Sequence, residues 1–387
     1  MKLLTFCYEY PPLGGGGGVV FKQIVDVLAQ RHAVTVITSG YGDLPAEEVI
    51  GNLRIIRVPV LLRRSLATAT MPSMLSYWPA SQRRGKRLLR DERFDLINSH
   101  FVVPSSPSAD ALARWFKIPH VLSIHGGDIF DPSKRSSPHR LPIVRGLVRR
   151  LLTRADRVVA QSNNTADNAR RYYQLDRPVD VIPLGIVPAG RVAADRGKLE
   201  VAADRFVMVT VGRLVARKAV DDLLHVVAAM DDPKDLLVVV GDGPKREQWQ
   251  SLAGQLGVAE RVRFVGRVWE DEKQRWLAAS DVFVSTSQHE GFGLVFLEAM
   301  DQGLPVVAYN HGGQTDFLVD GKTGGLVPLG RTQAFAESVR RLKTDQTLRK
   351  ACGDHNRRHV QQFYIDRCAA RYEALFEQVV AERRPAR

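Results

Sequence analysis

The sequence predicts an α/β protein of two doubly wound domains facing each other across a cleft, and three observations carry this. Apolar strand-like runs alternate with helical patterns along most of the 387 residues, the signature of parallel α/β architecture. The strand series restarts after 188–204, a stretch of small and charged residues with no strand pattern. In each half the first strand runs into a glycine-rich or basic turn and then a helix, which places candidate ligand loops at the carboxyl ends of the strands. The domains are therefore placed at 1–190 and 191–358, followed by a charged helical tail, 359–387, that packs back on the first domain.

The length suits two domains of ordinary size, and 44% apolar with 25% charged residues is an ordinary globular composition. No apolar run approaches the roughly 18 residues that a bilayer span requires. The first strand is expected at 2–8. Its apolar core is too short, and Glu9 comes too early, for a secretory signal. Further strands of the first half are expected at 33–38, 53–58, 96–99, 120–124, 157–160 and 179–182. Those of the second half are expected at 206–211, 235–240, 262–264, 281–285, 305–308 and 325–327. Cys7, Cys352 and Cys368 are odd in number and lack metal-ligand spacing, which fits a reducing cytoplasmic setting.

The turn after the first strand, Pro11-Pro12-Leu13-Gly14-Gly15-Gly16-Gly17-Gly18, precedes an amphipathic helix over 19–30. Successive glycines let a phosphate approach the backbone, and a helix N-terminus supplies N–H donors. The pattern is neither a GxGxxG dinucleotide fingerprint nor a P-loop, and a plain connecting loop is the competing reading. Ser123-Ile124-His125-Gly126-Gly127-Asp128 ends another strand of the first half. There His125 reads as a sugar-hydroxyl contact or a proton relay, with Gly126 and Asp128 beside it; local backbone satisfaction is the alternative.

Val211-Gly212-Arg213-Leu214-Val215-Ala216-Arg217-Lys218 is the equivalent turn of the second half. Arg213 and Lys218 just past a strand end would neutralise a diphosphate leaving group without a metal; solvated surface charge is the competing reading. Val240-Gly241-Asp242-Gly243-Pro244 is a further strand-to-glycine turn, either a tight turn or a ligand contact. The most informative segment is Glu290-Gly291-Phe292-Gly293-Leu294, followed by an apolar helical run that carries Glu298. Strand, glycine turn and helix N-terminus form an anion site. Two flanking carboxylates suit hydroxyl recognition, because a carboxylate accepts hydrogen bonds from a sugar or ribose diol.

Taken together, the Gly14–Gly18 loop, His125, Gly212-Arg213 with Lys218, Gly241-Asp242-Gly243-Pro244, and Glu290 and Glu298 followed by Gly303-Leu304-Pro305-Val306-Val307-Ala308 resemble retaining glycosyltransferases of the GT-B fold, family 4 (glycosyltransferase group 1). The resemblance covers nearly the whole chain and implies two Rossmann-like domains. It implies that Glu290 contacts the donor sugar's hydroxyls and Glu298 the ribose, and that Arg213 and Lys218 bind the pyrophosphate. Backbone N–H groups near Gly16 and around Gly293-Leu294 would join them, and His125 would touch the transferred sugar. Attack then proceeds on the front face after domain closure, with the leaving phosphate oxygen as base and no dedicated nucleophile. No cofactor is expected besides the nucleotide-sugar co-substrate, and no Asp-x-Asp metal motif is present. Ala219, His289, Asp301-Gln302 and Gln314-Thr315-Asp316 depart from the family pattern; none removes a charge that the chemistry needs.

Residues 1–190 carry 26 Lys and Arg against 15 Asp and Glu, a balance of +11, while the remaining 29 and 27 leave +2. In the first half Arg63, Arg64, Arg83, Arg84, Lys86, Arg87 and Arg90 surround an apolar-aromatic stretch, 71–79, a composition that suits an anionic membrane surface. A second basic stretch runs over 134–157. A solvated helix face is the plain alternative. Nucleic acid ranks low, because no helix-turn-helix, zinc finger or aromatic RNA-binding motif is visible. The expected function is hexosyl transfer from a UDP- or GDP-sugar to a lipid-linked or cell-surface glycan precursor, in the cytoplasm or on the inner face of the membrane. A sugar-nucleotide epimerase and a non-catalytic nucleotide-sugar-binding module are the alternatives of the same architecture.

Overall fold

Parallel strands with helices between them build both halves of the protein. The computed structural model describes residues 1–66 and 69–383. The chain divides into one unit of Met1–Gly185 with Ile365–Arg387, of which 384–387 lie outside the described residues, and a second unit of Ile186–Tyr364.

The first unit contains β1 (Lys2–Cys7), α1 (Gly16–Leu28), β2 (Ala33–Ser39), β3 (Glu47–Ile50), β4 (Leu53–Val58), α2 (Met71–Asp91), β5 (Leu96–His100), α3 (Ser106–Phe116), β6 (His120–Ile124), α4 (Pro142–Arg154), β7 (Arg157–Ala160), α5 (Asn163–Tyr173) and β8 (Asp180–Val181). The sheet order is β3-β4-β2-β1-β5-β6-β7-β8, and only β3 is antiparallel to its neighbour. β3 escapes a reading by apolar runs: its Glu47-Glu48-Val49-Ile50 is half acidic and exposed at the sheet edge, where charge blunts edge-to-edge pairing. The order reverses between β1 and β5, so the chain leaves β1 to one side and returns on the other. Such a switch point opens a crevice at the strand carboxyl ends. Cys7 of β1 pairs with His100 of β5, and His100 with Ser123 of β6.

The second unit contains β9 (Phe206–Val211), α6 (Val220–Met230), β10 (Asp235–Val240), α7 (Arg246–Gln255), β11 (Val262–Gly266), α8 (Glu270–Ala278), β12 (Val282–Ser285), α9 (Leu294–Asp301), β13 (Val306–Tyr309), β14 (Gly324–Val327), α10 (Thr332–Thr344) and α11 (Gln346–His359). Its sheet is parallel throughout, in the order β11-β10-β9-β12-β13-β14. Parallel strands covered on both faces read as continuous apolar runs; β10, Asp235–Val240, is buried at every position. The switch point here falls between β9 and β12.

The last helix, α12 (Ile365–Arg383), returns to the first unit and packs on α1. It buries Cys368, Tyr372, Phe376 and Val379, and each large apolar side chain so covered contributes about 1.5–3 kcal/mol. Glu373 accepts from Arg31 and His32, at 2.5 and 2.8 Å. Arg157 pairs with Glu382 and Arg383 with Asp156. Composition places the tail's start at 359, but 346–359 is α11 of the second unit and the chain crosses only at Ile365. The first crossing falls after Gly185.

Candidate functional site

In the second unit the turn after β9 is built by close backbone approach. Gly212 N–H donates to Val240 O at 2.9 Å, and Leu214 N–H donates to Asp242 O at 2.9 Å, strapping this turn to the one after β10. A Cβ on Gly241 would lie 1.9 Å from Gly212 O, and one on Gly243 2.5 Å from Leu214 O. Both glycines thus have a packing reason to be there, whatever they contact in a ligand. The turn ends at Ala219, which holds the left-handed conformation (φ +44°) at the N-cap of α6. Alanine adopts that region at a cost, and the Thr286 hydroxyl donates to its carbonyl at 2.7 Å.

Lys218 and Glu290 meet at this switch point. Lys218 Nζ lies 2.6 Å from Glu290 Oε1, and Arg217 Nη1 lies 3.2 Å from Oε2 and 2.9 Å from His289 O. Glu290 is 7% exposed. Burial by itself would push its carboxyl up; Lys218 and then Arg217 outweigh that and hold it at about 2. Arg213 is exposed, and its side chain makes no hydrogen bond or ion pair among the described residues. The pair expected from the sequence as Arg213 with Lys218 is therefore a trio: Arg217 and Lys218 fix Glu290, and Arg213 stands apart.

The Glu290–Leu294 segment leads into α9 through Gly293 (φ +97°), where a Cβ would meet Phe296 at 2.5 Å. Gly313 N–H donates to Glu290 O at 2.8 Å, and a Cβ on Gly313 would lie 2.0 Å from Gly291 O. The Phe292 ring is buried against Phe317 and Phe363, so this residue offers a ligand only its backbone. Glu298, on α9, pairs with Lys273 at 2.8 Å, and Lys273 also holds Glu270 at 2.9 Å. Burial raises the Glu298 carboxyl, and Lys273 only partly offsets it.

In the first unit the glycine loop lies beside a histidine pair. Gly14 is left-handed (φ +97°), and Gly15 N–H donates to Glu9 Oε2 at 3.2 Å. The N-terminus of α1, expected to offer its N–H groups to an anion, thus already holds a carboxylate of its own at Gly15. Burial raises the Glu9 carboxyl; Gly15, Arg63 and Lys134 moderate the rise. A Cβ on Gly17 would lie 2.6 Å from the Phe101 ring, and that ring stacks on His125 with centroids 4.3 Å apart. His125 Nε2 lies 3.0 Å from His100 Nδ1. Asp128 accepts from the His125 and Val102 N–H groups, each at 2.9 Å. Burial lowers His125 to about 4 and raises Asp128 to about 6.

Four participants are not among the residues to which the sequence assigns a role. Arg217 is one position from Lys218, and nothing in spacing tells which neighbour turns inward. Lys273 is remote from Glu298 in sequence and meets it only through the fold. Glu9 and His100 sit at strand ends, the one signal that could have marked them. Of the basic residues assigned to a surface, Arg63 must be withdrawn: it is 8% exposed and donates to Ser65 O and Leu66 O. Arg84 pairs with Glu47 at 2.9 Å, and Lys86 lies over the Trp115 ring at 4.6 Å. Arg64, Arg83, Arg87 and Arg90 are exposed. Among the described residues no cluster of His, Cys, Asp or Glu could hold a metal ion, and no helix is long and apolar enough to cross a membrane. Cys7, Cys352 and Cys368 are buried free thiols.

Comparison with known proteins covers most of the chain. Residues 14–189 match the model of Glycosyltransferase Family 4, and residues 192–359 that of Glycosyl transferases group 1. The chain is 32% identical to a D-inositol 3-phosphate glycosyltransferase of Geodermatophilus obscurus, over 98% of this chain and 90% of that protein. It is 42% identical to the lipopolysaccharide core biosynthesis glycosyltransferase LpsE of Rhizobium meliloti, over 48% of this chain and 54% of that protein. Among solved structures, a sucrose-phosphate synthase from Thermosynechococcus elongatus superposes with a TM-score of 0.85 at 23% identity, covering 99% of this chain and all of that one. Anabaena HepE in complex with UDP superposes with a TM-score of 0.79 at 20% identity, covering 98% of this chain and all of that one.

Proposed function

Because the chain belongs to glycosyltransferase family 4, with the GT-B fold and sugar transfer from a nucleotide-sugar donor to an acceptor, we propose that it is a retaining hexosyltransferase. Its donor is a UDP- or GDP-hexose and its acceptor a hydroxyl of a lipid-linked or cell-surface glycan precursor, met in the cytoplasm or at the inner face of the membrane. The observation that carries this reading is Glu290, buried at the β9/β12 switch point and kept ionised by Lys218 and Arg217.

An ionised carboxylate only accepts hydrogen bonds, so Glu290 suits the hydroxyls of a sugar and repels a phosphate. Arg213, exposed and uncommitted, is the cation free to take the diphosphate; Lys218 joins it from its place over Gly212. Glu298 suits the ribose diol. With those positively charged groups stabilising the leaving diphosphate, the reaction proceeds without a resident metal, and the departing phosphate oxygen takes the acceptor proton. Glu290, clamped by two cations and held at about 2, is a poor proton acceptor at neutral pH, which is why it positions the sugar and does not act as the base.

Two features support an acceptor at a lipid surface. Leu61, Leu62, Met71 and Leu75 are exposed near Arg64 in sequence, and LpsE is named for lipopolysaccharide core biosynthesis. The full-length relatives named for D-inositol 3-phosphate favour a second reading, a small soluble acceptor. The discriminating assay follows nucleoside diphosphate release from UDP- and GDP-hexoses with lipid-linked and soluble acceptors. Release that requires an acceptor is the expected result. Conversion of the nucleotide sugar without any acceptor would instead identify an epimerase.

A further inference from the structure

The histidine pair of the first unit has a defined internal logic. His100 Nδ1 and His125 Nε2 are 3.0 Å apart, and burial keeps both imidazoles neutral, lowering His100 well below the ordinary histidine value. Two neutral imidazoles joined by one hydrogen bond must divide the roles, one donating and one accepting. The direction of that bond therefore decides which nitrogen of His125 carries the proton. The other ring nitrogen, His125 Nδ1, is buried and has no hydrogen-bond partner among the described residues. Neighbours fix both rings: Phe21 at 4.6 Å and Tyr372 at 5.8 Å from His100, and Phe101 stacked on His125. The wall behind His100 thus includes a side chain of α12.

We propose that His100 is a positioning residue: it accepts the Nε2–H of His125 and so presents the His125 Nδ1 lone pair to a hydroxyl of the transferred sugar. The direction follows from imidazole chemistry. A neutral histidine prefers its proton on Nε2, and with His125 donating, both rings keep that tautomer; in the reverse direction both lose it. A buried acceptor without a partner is unfavourable until a donor arrives. A sugar hydroxyl can donate, whereas a diphosphate oxygen only accepts, so His125 recognises the sugar and not the leaving group. The identity of that hydroxyl rests on the transferase reading; the pairing itself does not.

Long-range proton–nitrogen correlation spectra of the histidine-labelled full chain test the pairing directly. The expected spectrum shows His125 protonated at Nε2 and bare at Nδ1. His100→Asn places an amide oxygen near the position of Nδ1 and should keep this pattern; His100→Leu should let the His125 tautomers mix. In turnover with UDP- or GDP-hexose, His100→Leu should lose about tenfold in kcat/KM, the worth of one hydrogen bond. His100→Asn should recover most of that. A wild-type His125 protonated at Nδ1, or Leu and Asn variants equal in both tautomer and turnover, would overturn the proposal. If the tautomer is as expected and no nucleotide sugar binds, the pairing stands and the failure belongs to the transferase reading.

Discussion

At the scale of single residues, the charge balance around Glu290 governs what the second unit can hold. Its folded-state value, about 2, lies below the ordinary 4.5. The ion pairs therefore add stability that is fully present above about 4.5 and is lost as pH falls toward 2, a contribution of about 3 kcal/mol. Urea unfolding of the parent and Glu290→Gln between pH 7 and 3 reads this: the parent's advantage should shrink on acidification, and a constant difference would contradict it. Lys218 and Arg213 should also separate by readout. Lys218→Ala leaves Glu290 with Arg217 alone and should cost about 3 kcal/mol of stability together with a ~100-fold or greater loss of turnover. Arg213→Ala should leave stability within about 0.5 kcal/mol and still lower turnover. Equal stability losses in the two variants would remove the distinction.

At the scale of elements, the strand carboxyl ends are shaped by glycines whose missing Cβ has an identifiable occupant. Gly241→Ala would drive a methyl to 1.9 Å from Gly212 O at a φ of +135°, and a loss of about 2–4 kcal/mol is expected. Gly17→Ala would press on Phe101 and through it on His125, so it should impair turnover more than stability. Chemical denaturation and kinetics of both variants check this; a neutral Gly241→Ala would mean that the two turns are not strapped as described. These elements show how far a sequence can be read. β1, β9 and β10 are legible because parallel strands buried on both faces are written as apolar runs. β3 is not, because its acids serve a sheet edge. The Glu290–Glu298 segment is legible because strand, glycine turn and helix are contiguous. The Arg217–Glu290 and Lys273–Glu298 pairs are not, because they depend on which elements the sheet order makes neighbours.

At the scale of the whole molecule, the chain enters the second unit after Gly185 and returns to the first at Ile365. The first half also carries most of the net charge, and part of that charge is already committed at Arg63, Arg84 and Lys86. Binding to anionic vesicles should therefore depend on Arg64, Arg83, Arg87 and Arg90. Changing these four to Gln should abolish salt-sensitive co-sedimentation, each contributing roughly 1 kcal/mol; unchanged binding would rule these four out as the contact, and no salt-sensitive binding by the parent would rule out the membrane surface. Thermal unfolding with a panel of UDP- and GDP-hexoses and their free diphosphates tests whether Glu290 anchors a nucleotide-sugar site. A donor at 100 times its dissociation constant should add about 2.7 kcal/mol of stability. Glu290→Gln should lose the increment due to the sugar while keeping that due to the diphosphate. No shift with any nucleotide, or a Glu290→Gln variant that binds sugar and diphosphate as the parent does, would contradict it.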